Sequence, residues 1–530
     1  MLRVDKHDIL NLRAPSRRTL TVITRNIMKK ALSLACILYL TAPSLLIPQG
    51  TIAAAPANEV GRSDSDGKAE DKKDDEIRNV NIDALMLYGQ YNRILWTGSL
   101  TQSFEAFTYQ LKSDFNRSND FGYKNSRYYE NEIGFTGGAD CTDKWKLTPV
   151  LEVNNESHGL FRNPFYTREE KDRVELELKS EYRPMPARWN FNIGGVYFIH
   201  RLDSSLYPDI YPVRPYHGSD FYRANAEIGW EYILSAANKF SFNSKFSQYF
   251  YSTSSDNDTF VANEFIWNFN VSEYLKFGMG PLYAYNRDGG HFVSGKIDVT
   301  TVNIKYVSVG ASYTYELVPF IPEEFYFDQR YVKPSYSLSP GRGHHAAVTI
   351  GIDATTVSSK KFYLKKIKIT STGSFITNDR YYSYFSLPSL VLAPHQMKIA
   401  QAKAQGEAAI GLSVLAAYCE LGGRYEYSYF YATDYVTYRP GHQVGGYLRL
   451  AVHRFEAEFS TAFRGSMQTS PFMKNTIRPA LSGSLSLQFK VYESFFLYGR
   501  IDNIYNSRIS TVYGYPVQGR TIMGGLRIII

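Results

Sequence analysis

The segment LSGSLSLQFK, from Leu481 to Lys490, alternates an apolar residue or glycine with a polar residue at every position. The same alternation returns at the carboxyl terminus in IMGGLRIII, from Ile522 to Ile530. A period of two turns the two faces of a β-strand to different surroundings, so one face should meet an apolar medium and the other water. Between the two segments lie a third strand, 492–502, and a loop rich in Tyr, Asn and Gly. The order of strand, short turn, strand, long loop and final strand is typical of a membrane β-barrel.

The segment from Asp502 to Thr521 and an upstream segment, 438–450, contain short motifs that resemble those of a known protein family. The matching positions are Asp502, Asn503, Tyr505, Tyr513, Gly514, Tyr515, Pro516, Gly519, Arg520 and Thr521. Together they resemble the last two strands and the last loop of TonB-dependent outer-membrane receptors. YRPGHQVGGYLRL, residues 438–450, is similar to the Arg-Pro-x-His that precedes a late strand in the same family. The terminal Ile530 departs from the family, which usually ends in an aromatic residue.

The expected fold is an all-β, transmembrane, antiparallel up-and-down barrel. The pattern allows about 20 to 24 strands, and the resemblance implies about 22. Predicted strands include 98–115 as one strand, and 361–374 and 378–391 as two. Short turns predicted to face the periplasm alternate with longer connections, predicted to face the outside, at 116–124, 155–170, 201–219, 466–477 and 503–518. A soluble array of β-sandwiches is the alternative, and it would need several separable domains.

The composition agrees with a membrane barrel. The 530 residues include 43 Tyr and are 15% aromatic, which is high for a soluble domain. The mean hydropathy of −0.31 is too polar for a helical membrane protein. Barrels reconcile the two values, because each strand is half apolar and aromatic residues collect at both membrane interfaces. The net charge of +8 contains no basic block of the kind that binds nucleic acid, so no nucleic-acid partner is expected.

The amino-terminal region has the order of a secretory signal peptide. Met28 and two lysines precede the apolar run ALSLACILYLTAPSLLI, and small residues lead to a predicted cleavage after Ala57. Residues 1–57 are therefore assigned to an extension and signal peptide, with Met28 as the favoured start and export by the Sec route. Residues 58–79 form a charged periplasmic linker expected to be disordered, and 80–530 the barrel. The resemblance implies a globular plug before the barrel, but residues 58–79 resemble neither a plug nor a TonB box.

The chain shows no signature of enzymatic chemistry. It has no HExxH, paired CxxC or GxSxG sequence, so no catalytic residue, metal site or cofactor is predicted. The nearest to a catalytic arrangement are the pairs His200 with Asp203, His217 with Asp220, and His344 with His345, and each is read as polar loop residues. Cys141 and Cys419 are both predicted in periplasmic turns, where two unpaired thiols are favoured over a disulfide.

Two groups of residues are candidates for binding. Proline-rich external loops with aromatic and cationic residues could stack on a planar, sugar or catecholate ligand, or could instead pack on each other over the barrel mouth. These candidate loop contacts are Phe161, Arg162, Tyr207, Tyr211, Arg214, Tyr216 and His217. Inward rows of charged residues are predicted to line a wet lumen. They include Glu175, Glu177, Arg223, Glu227, Glu231, Glu456, Glu458 and Arg464.

Three functions remain open from the sequence. The resemblance implies transport of a nutrient or chelated metal across a Gram-negative outer membrane, with a separate plug or a TonB-type energy-coupling protein as a partner. A wide polar lumen would instead serve as a porin-like channel for passive diffusion. A surface binding or scaffold protein would close the lumen with its own loops. Each interpretation also requires outer-membrane lipid and the barrel-assembly machinery as partners, and none identifies the ligand.

Overall fold

A computed structural model describes residues 79–104, 107–119, 127–160, 168–203, 217–251, 257–301, 304–322, 339–354, 357–358, 362–386, 392–414, 417–432, 436–469, 476–512, 515–516 and 519–530. They form long antiparallel strands in one closed sheet. The strands are β1 (Asn79–Gly89), β2 (Arg93–Ser103), β3 (Phe107–Ser118), β4 (Tyr128–Thr142), β5 (Trp145–Gly159), β6 (Arg168–Tyr182), β7 (Ala187–Asp203), β8 (His217–Ser235), β9 (Asn238–Tyr251), β10 (Asp258–Ser272), β11 (Leu275–Asn286), β12 (Gly290–Thr301), β13 (Val307–Val318), β14 (Gly341–Ala354), β15 (Phe362–Ser386), β16 (Leu392–Val414), β17 (Ala417–Ala432), β18 (His442–Val452), β19 (Phe455–Arg464), β20 (Ala480–Tyr492), β21 (Phe495–Asp502) and β22 (Thr521–Ile529).

The barrel has 22 strands, as predicted. The sheet contains 23 paired segments. Val357–Ser358 pairs with the same edge of β15 as β14 does, so it extends β14 and is not counted as a separate strand. Strand β1 pairs with β2 on one side and with β22 on the other, from Asp83 opposite Ile529 to Gly89 opposite Met523. This last pairing removes both edges of the sheet, so every strand satisfies its backbone hydrogen bonds inside the protein, as a membrane requires.

The outer face of the sheet is apolar. Leu176, Ile193 and Val293 are 61%, 64% and 72% exposed, whereas large apolar residues of a soluble protein are mostly buried. Successive residues of a strand point to opposite faces, so the charged residues between them turn to the lumen. No helix in the described ranges is long and apolar enough to cross a membrane.

Connection lengths differ between the two ends of the barrel. At one end two-residue turns join β4 to β5, β8 to β9 and β20 to β21. At the other end the connections include 160–167, 204–216, 319–340 and 503–520, although those after β1 and β11 have only three residues. Because outer-membrane barrels have short periplasmic turns, the end with the longer connections is the external mouth.

Several of the predicted strand boundaries are wrong. Segment 98–115 is not one strand, since β2 ends at Ser103 and the Phe104 amide donates to the Phe107 carbonyl in a tight connection that lacks Gly, Pro or Asn. The described residues of segments 361–374 and 378–391 belong to the single strand β15. The expected break between them, 375–377, pairs with β16 throughout, and the β15–β16 ladder shifts register only between Asn378 and Tyr381. Such a bulge accommodates extra residues without ending the strand. The predicted strand 324–336 lies outside the described residues.

The two cysteines lie in strands rather than in turns. Cys141 is near the end of β4 and Cys419 near the start of β17, and both thiols are free. The predicted turn at Cys419–Glu420 is therefore wrong, because β17 already begins at Ala417.

Changing Leu526 to arginine should impair insertion of the barrel into lipid. Leu526 lies on the outer face near the middle of β22 and is 56% exposed, so the charge would enter the apolar part of the bilayer at a cost of about 2–4 kcal/mol. The control is Ser484→Arg, since Ser484 lies beside the lumen cavity, where its Oγ is 2.8 Å from the Ser460 Oγ. The folded fraction in lipid vesicles, read from heat-modifiable migration, should fall for the first variant only. Equal losses would contradict the assignment of the two faces.

Candidate functional site: the lumen and its closed mouth

A cluster of buried apolar side chains lies across the external mouth. Three of its members are at the upper ends of β7, β8 and β9, and the others come from external connections or the strand ends beside them. They are Phe198, Phe221, Tyr249, Phe320, Leu392, Tyr438, Met467 and Ile477. In a barrel of 22 strands, β8 and β19 lie on opposite walls. Residues beyond β19 therefore reach side chains of β8 only by crossing the opening, and the loops close the mouth.

Hydrogen bonds connect these loops to one another. The Tyr438 amide donates to the Gln468 carbonyl at 2.8 Å, which joins the connection after β17 to the one after β19. The buried hydroxyls of Ser383 and Thr437 lie 3.0 Å apart and link the upper part of β15 to the same connection. The Gln396 side chain donates to the Ser339 carbonyl at 2.6 Å. The closed mouth is thus one connected layer built from several loops.

A buried group of charged and polar side chains lies beside this layer. The Glu169 carboxylate has one oxygen 2.8 Å from His158 Nε2 and the other 2.7 Å from His200 Nε2. The Lys171 ammonium is 3.6 Å from the same carboxylate, and both side chains have no exposed surface. The strand register produces the group, since His158 is opposite Glu169 and Lys171 is opposite His200. The His200 ring also contacts Phe198 of the apolar cluster, with centroids 6.3 Å apart.

The lumen contains a cavity of about 930 Å³. Its wall includes residues of β15 to β22 and of β2 to β4, which are neighbouring strands on the two sides of the closing β1–β22 pair, so it follows about half of the barrel wall. The lining residues Arg93 and Asp502 form an ion pair, with Arg93 Nη1 3.0 Å from Asp502 Oδ2. The neighbouring Arg500 Nε also donates to Asp502 Oδ1 at 2.8 Å. Other charged lining residues are Glu130, Lys368, Glu407, Arg424 and Glu458. The cavity has the size of a small-molecule site, and its charges of both signs suit a polar guest.

The structure places all eight lumen candidates on the strand face opposite the exposed apolar residues. Most are in ion pairs: Glu175 with Arg173, Glu177 with Lys179, Glu227 with Lys245, Glu231 with Arg188 and Lys239, and Glu456 with Arg449. Glu458 lines the cavity, and Arg464 donates to the Ser510 carbonyl at 2.6 Å. Arg223 lies in the inward row of β8. These ion pairs offset part of the charge of the row, and a role for these residues in transport stays a prediction.

The loop candidates fall mostly outside the described residues. These are Phe161, Arg162, Tyr207, Tyr211, Arg214 and Tyr216. His217 begins β8, where its backbone pairs with Leu202. Ligand contact by these residues stays a prediction. Of the histidine pairs, His200 hydrogen-bonds to Glu169, and His344 stacks on Tyr315.

Sequence reasoning missed the residues that close the mouth. Leu392 and Phe320 stand in short apolar stretches near proline, SLPSLVL and PFIP, which was their only visible signal. It missed Glu169 as well, because 155–170 was predicted as an external connection, whereas β5 extends to Gly159 and β6 begins at Arg168.

Neither a protein-family model nor a curated protein sequence matches the chain. Solved structures do match. The siderophore receptor PirA from Acinetobacter baumannii superposes with a TM-score of 0.62 at 9% identity, covering 86% of this chain and 81% of that one. The FrpB iron transporter from Neisseria meningitidis (F5-1 variant) gives 0.64 at 9%, covering 86% and 82%. The copper transporter OprC gives 0.62 at 9%, covering 86% and 80%.

The chain has the barrel fold of the TonB-dependent receptors. At such low identity the likeness concerns the fold. The neighbours are receptors and transporters of outer-membrane barrel type rather than enzymes. A barrel with such an apolar outer face is suited to the outer membrane, with its lumen between the two aqueous sides.

Proposed function

We propose that this chain is a gated outer-membrane transport protein for a small polar molecule, a nutrient or a chelated metal. The observation that supports this most directly is an apolar closure, which includes Phe198 and Leu392, at the mouth of a polar cavity. The names of its structural neighbours, a siderophore receptor, an iron transporter and a copper transporter, make chelated metals the first class of ligand to test.

The closed mouth argues against free diffusion. Burial of each large apolar side chain contributes about 1.5–3 kcal/mol, and the cluster has eight members, so the mouth would rarely open through thermal motion alone. A ligand shifts this equilibrium only by its differential affinity for the open state. We therefore assign the opening to ligand binding together with a periplasmic partner, either a separate plug or a TonB-type energy-coupling protein.

The proposal includes the route by which the barrel reaches the membrane. The signal peptide within residues 1–57 would direct export by the Sec system, and the charged linker 58–79 would remain in the periplasm. The barrel-assembly machinery would then insert residues 80–530 into outer-membrane lipid. In this proposal, residues 58–79 do not block the lumen.

Planar-bilayer recording tests the gated function. The protein purified from outer membranes should show little conductance without ligand, because the apolar layer covers the mouth. A large, steady and ligand-independent conductance would contradict gating and establish the passive channel instead.

Uptake measurements separate a transporter from a surface binding or scaffold protein. Cells expressing the chain should accumulate labelled iron from a ferric tricatecholate, or labelled copper from a small chelate, faster than cells lacking it. The control is a strain without the inner-membrane energy-coupling protein, in which the extra uptake should disappear. Binding without any energy-dependent uptake of the tested chelates would favour the binding protein.

A further inference from the structure

Three pairs of neighbouring strands carry the same arrangement of two tyrosines around one histidine. In each pair an upward strand contains Tyr-x-Tyr, and the second Tyr lies directly opposite a His near the start of the next described barrel strand. The three groups are Tyr283, Tyr285 and His291; Tyr313, Tyr315 and His344; and Tyr425, Tyr427 and His442. We call them the Tyr–His–Tyr clamps.

The geometry repeats closely. The first Tyr hydroxyl lies 2.9, 2.8 and 2.9 Å from the imidazole Nδ1 in the three clamps. The second Tyr ring contacts the same imidazole, with centroids 4.9, 4.1 and 4.8 Å apart. Tyrosine alone already combines an apolar ring with a polar hydroxyl, which is enough for a place in the aromatic girdle at the membrane interface. A girdle role therefore does not explain why each pair of tyrosines holds a histidine.

All three clamps face away from the lumen at the external end of the barrel. Each histidine is exposed and shares the outer face of its strand with apolar residues. Directly along the strands from the three histidines lie Val293, Val348 and Val444, all of which are exposed. The clamps therefore stand where the apolar belt ends and the headgroups of the outer leaflet begin.

The hydrogen bond determines what each imidazole can offer to that layer. When the Tyr hydroxyl donates to Nδ1, the ring proton is on Nε2, so the remaining polar atom is an N–H donor. An N–H donor with aromatic faces beside it suits a phosphate attached to a sugar ring. Exposed arginines stand close by in sequence: Arg342 precedes His344 by two residues, and Arg439 precedes His442 by three. Arginine is the preferred partner of phosphate.

We propose that the Tyr–His–Tyr clamps bind the phosphorylated sugar headgroups of glycolipid in the outer leaflet. The imidazole Nε2–H donates to phosphate, and the tyrosine rings hold the imidazole and pack beside the sugar. His291 and His344 lie two strands apart and four residues apart along the register, which is about 16 Å from the usual strand spacing and rise, so only a large headgroup can contact both. His442 forms a separate site. The proposal concerns the lipid around the barrel and requires the outer-membrane location, but not transport.

The test measures lipid binding by protein purified from outer membranes, stripped of lipid and titrated with diphosphoryl lipid A or its dephosphorylated form. The wild type should bind the diphosphoryl form about tenfold more tightly, the value of one charge-assisted hydrogen bond. The triple variant H291F/H344F/H442F keeps the rings and removes the donors, so this preference should disappear. Y283F/Y313F/Y425F keeps every ring and loosens the imidazoles, so the preference should fall several-fold.

The matched control is His453→Asn in the periplasmic turn between β18 and β19. His453 has a positive φ of 51°, a conformation that Asn tolerates, and it is at the opposite end of the barrel. Its lipid preference should equal that of the wild type. Heat-modifiable migration verifies folding of each variant, and the Tyr→Phe variant alone tests the proposal if the triple histidine variant does not fold. An unchanged preference in both variants, or equal wild-type binding of the two lipids, would overturn the proposal.

Discussion

Replacing Glu169 with alanine is expected to lower the free energy of unfolding of the barrel by about 3–5 kcal/mol, the usual cost of breaking a buried ion pair. The change removes the carboxylate that lies 3.6 Å from the buried Lys171 ammonium. It also removes the acceptor shared by His158 and His200. Replacing Glu169 with glutamine should cost less, because the amide keeps one hydrogen-bond acceptor and most of the shape.

Unfolding by urea in lipid vesicles gives the free energies for this comparison. The matched control is Glu177→Ala on the same strand and the same face. Glu177 pairs with Lys179, whose side chain is 52% exposed, so its loss should change stability by at most about 1 kcal/mol. If the two alanine variants were equally stable, the buried group would contribute no more than an ordinary ion pair of the wet lumen.

Replacing Leu392 with alanine is expected to open the mouth. Leu392 has no exposed surface and is in the cluster that connects loops from opposite walls. Truncating a fully buried leucine costs about 2–5 kcal/mol, and here much of that cost falls on the closed arrangement of the loops. A shift of about 2 kcal/mol already raises the ratio of open to closed barrels more than tenfold. Single-channel recording should therefore show frequent openings in place of a silent membrane.

Leu481→Ala is the control for this experiment. Leu481 begins the outward row of β20, opposite Phe463, and is 40% exposed on the side of the lipid. The same truncation there should leave the conductance unchanged. A silent Leu392→Ala barrel that is folded by heat-modifiable migration would show that the mouth does not depend on this cluster. Openings of equal frequency in both variants would point to general loosening of the barrel.

The local pattern of the sequence was sufficient for the architecture of the barrel. Alternation from Leu481 to Lys490 and from Ile522 to Ile530 predicts two strands with one apolar face, and the structure forms β20 and β22 there. The alternation of connection lengths also predicted which end is the external mouth. These features depend on residues close in sequence, because a strand repeats every two residues and its turn follows at once.

The predicted strand boundaries are wrong where the residues of a segment suggest one boundary and pairing with the neighbouring strand sets another. The break expected at 375–377 does not occur, because these residues continue to pair with β16 and the strand runs on beyond them. Between β2 and β3 the reverse occurs: the structure has a connection where one continuous strand was expected, because Phe104 to Phe107 contains no residue typical of turns. In both places the neighbouring strand decides where the ladder ends, and a single segment contains no information about its neighbour.

The sequence by itself determined which residues face lipid and which face the lumen, because that choice depends only on the period of each strand. The tertiary structure alone decided the closed mouth, the buried carboxylate and the Tyr–His–Tyr clamps. Phe198 and Leu392 are 194 residues apart in sequence. His158 and His200 share Glu169 only because three strands have one register. Closing the sheet on itself brings opposite walls together, and the period of a strand does not specify which side chains meet across them.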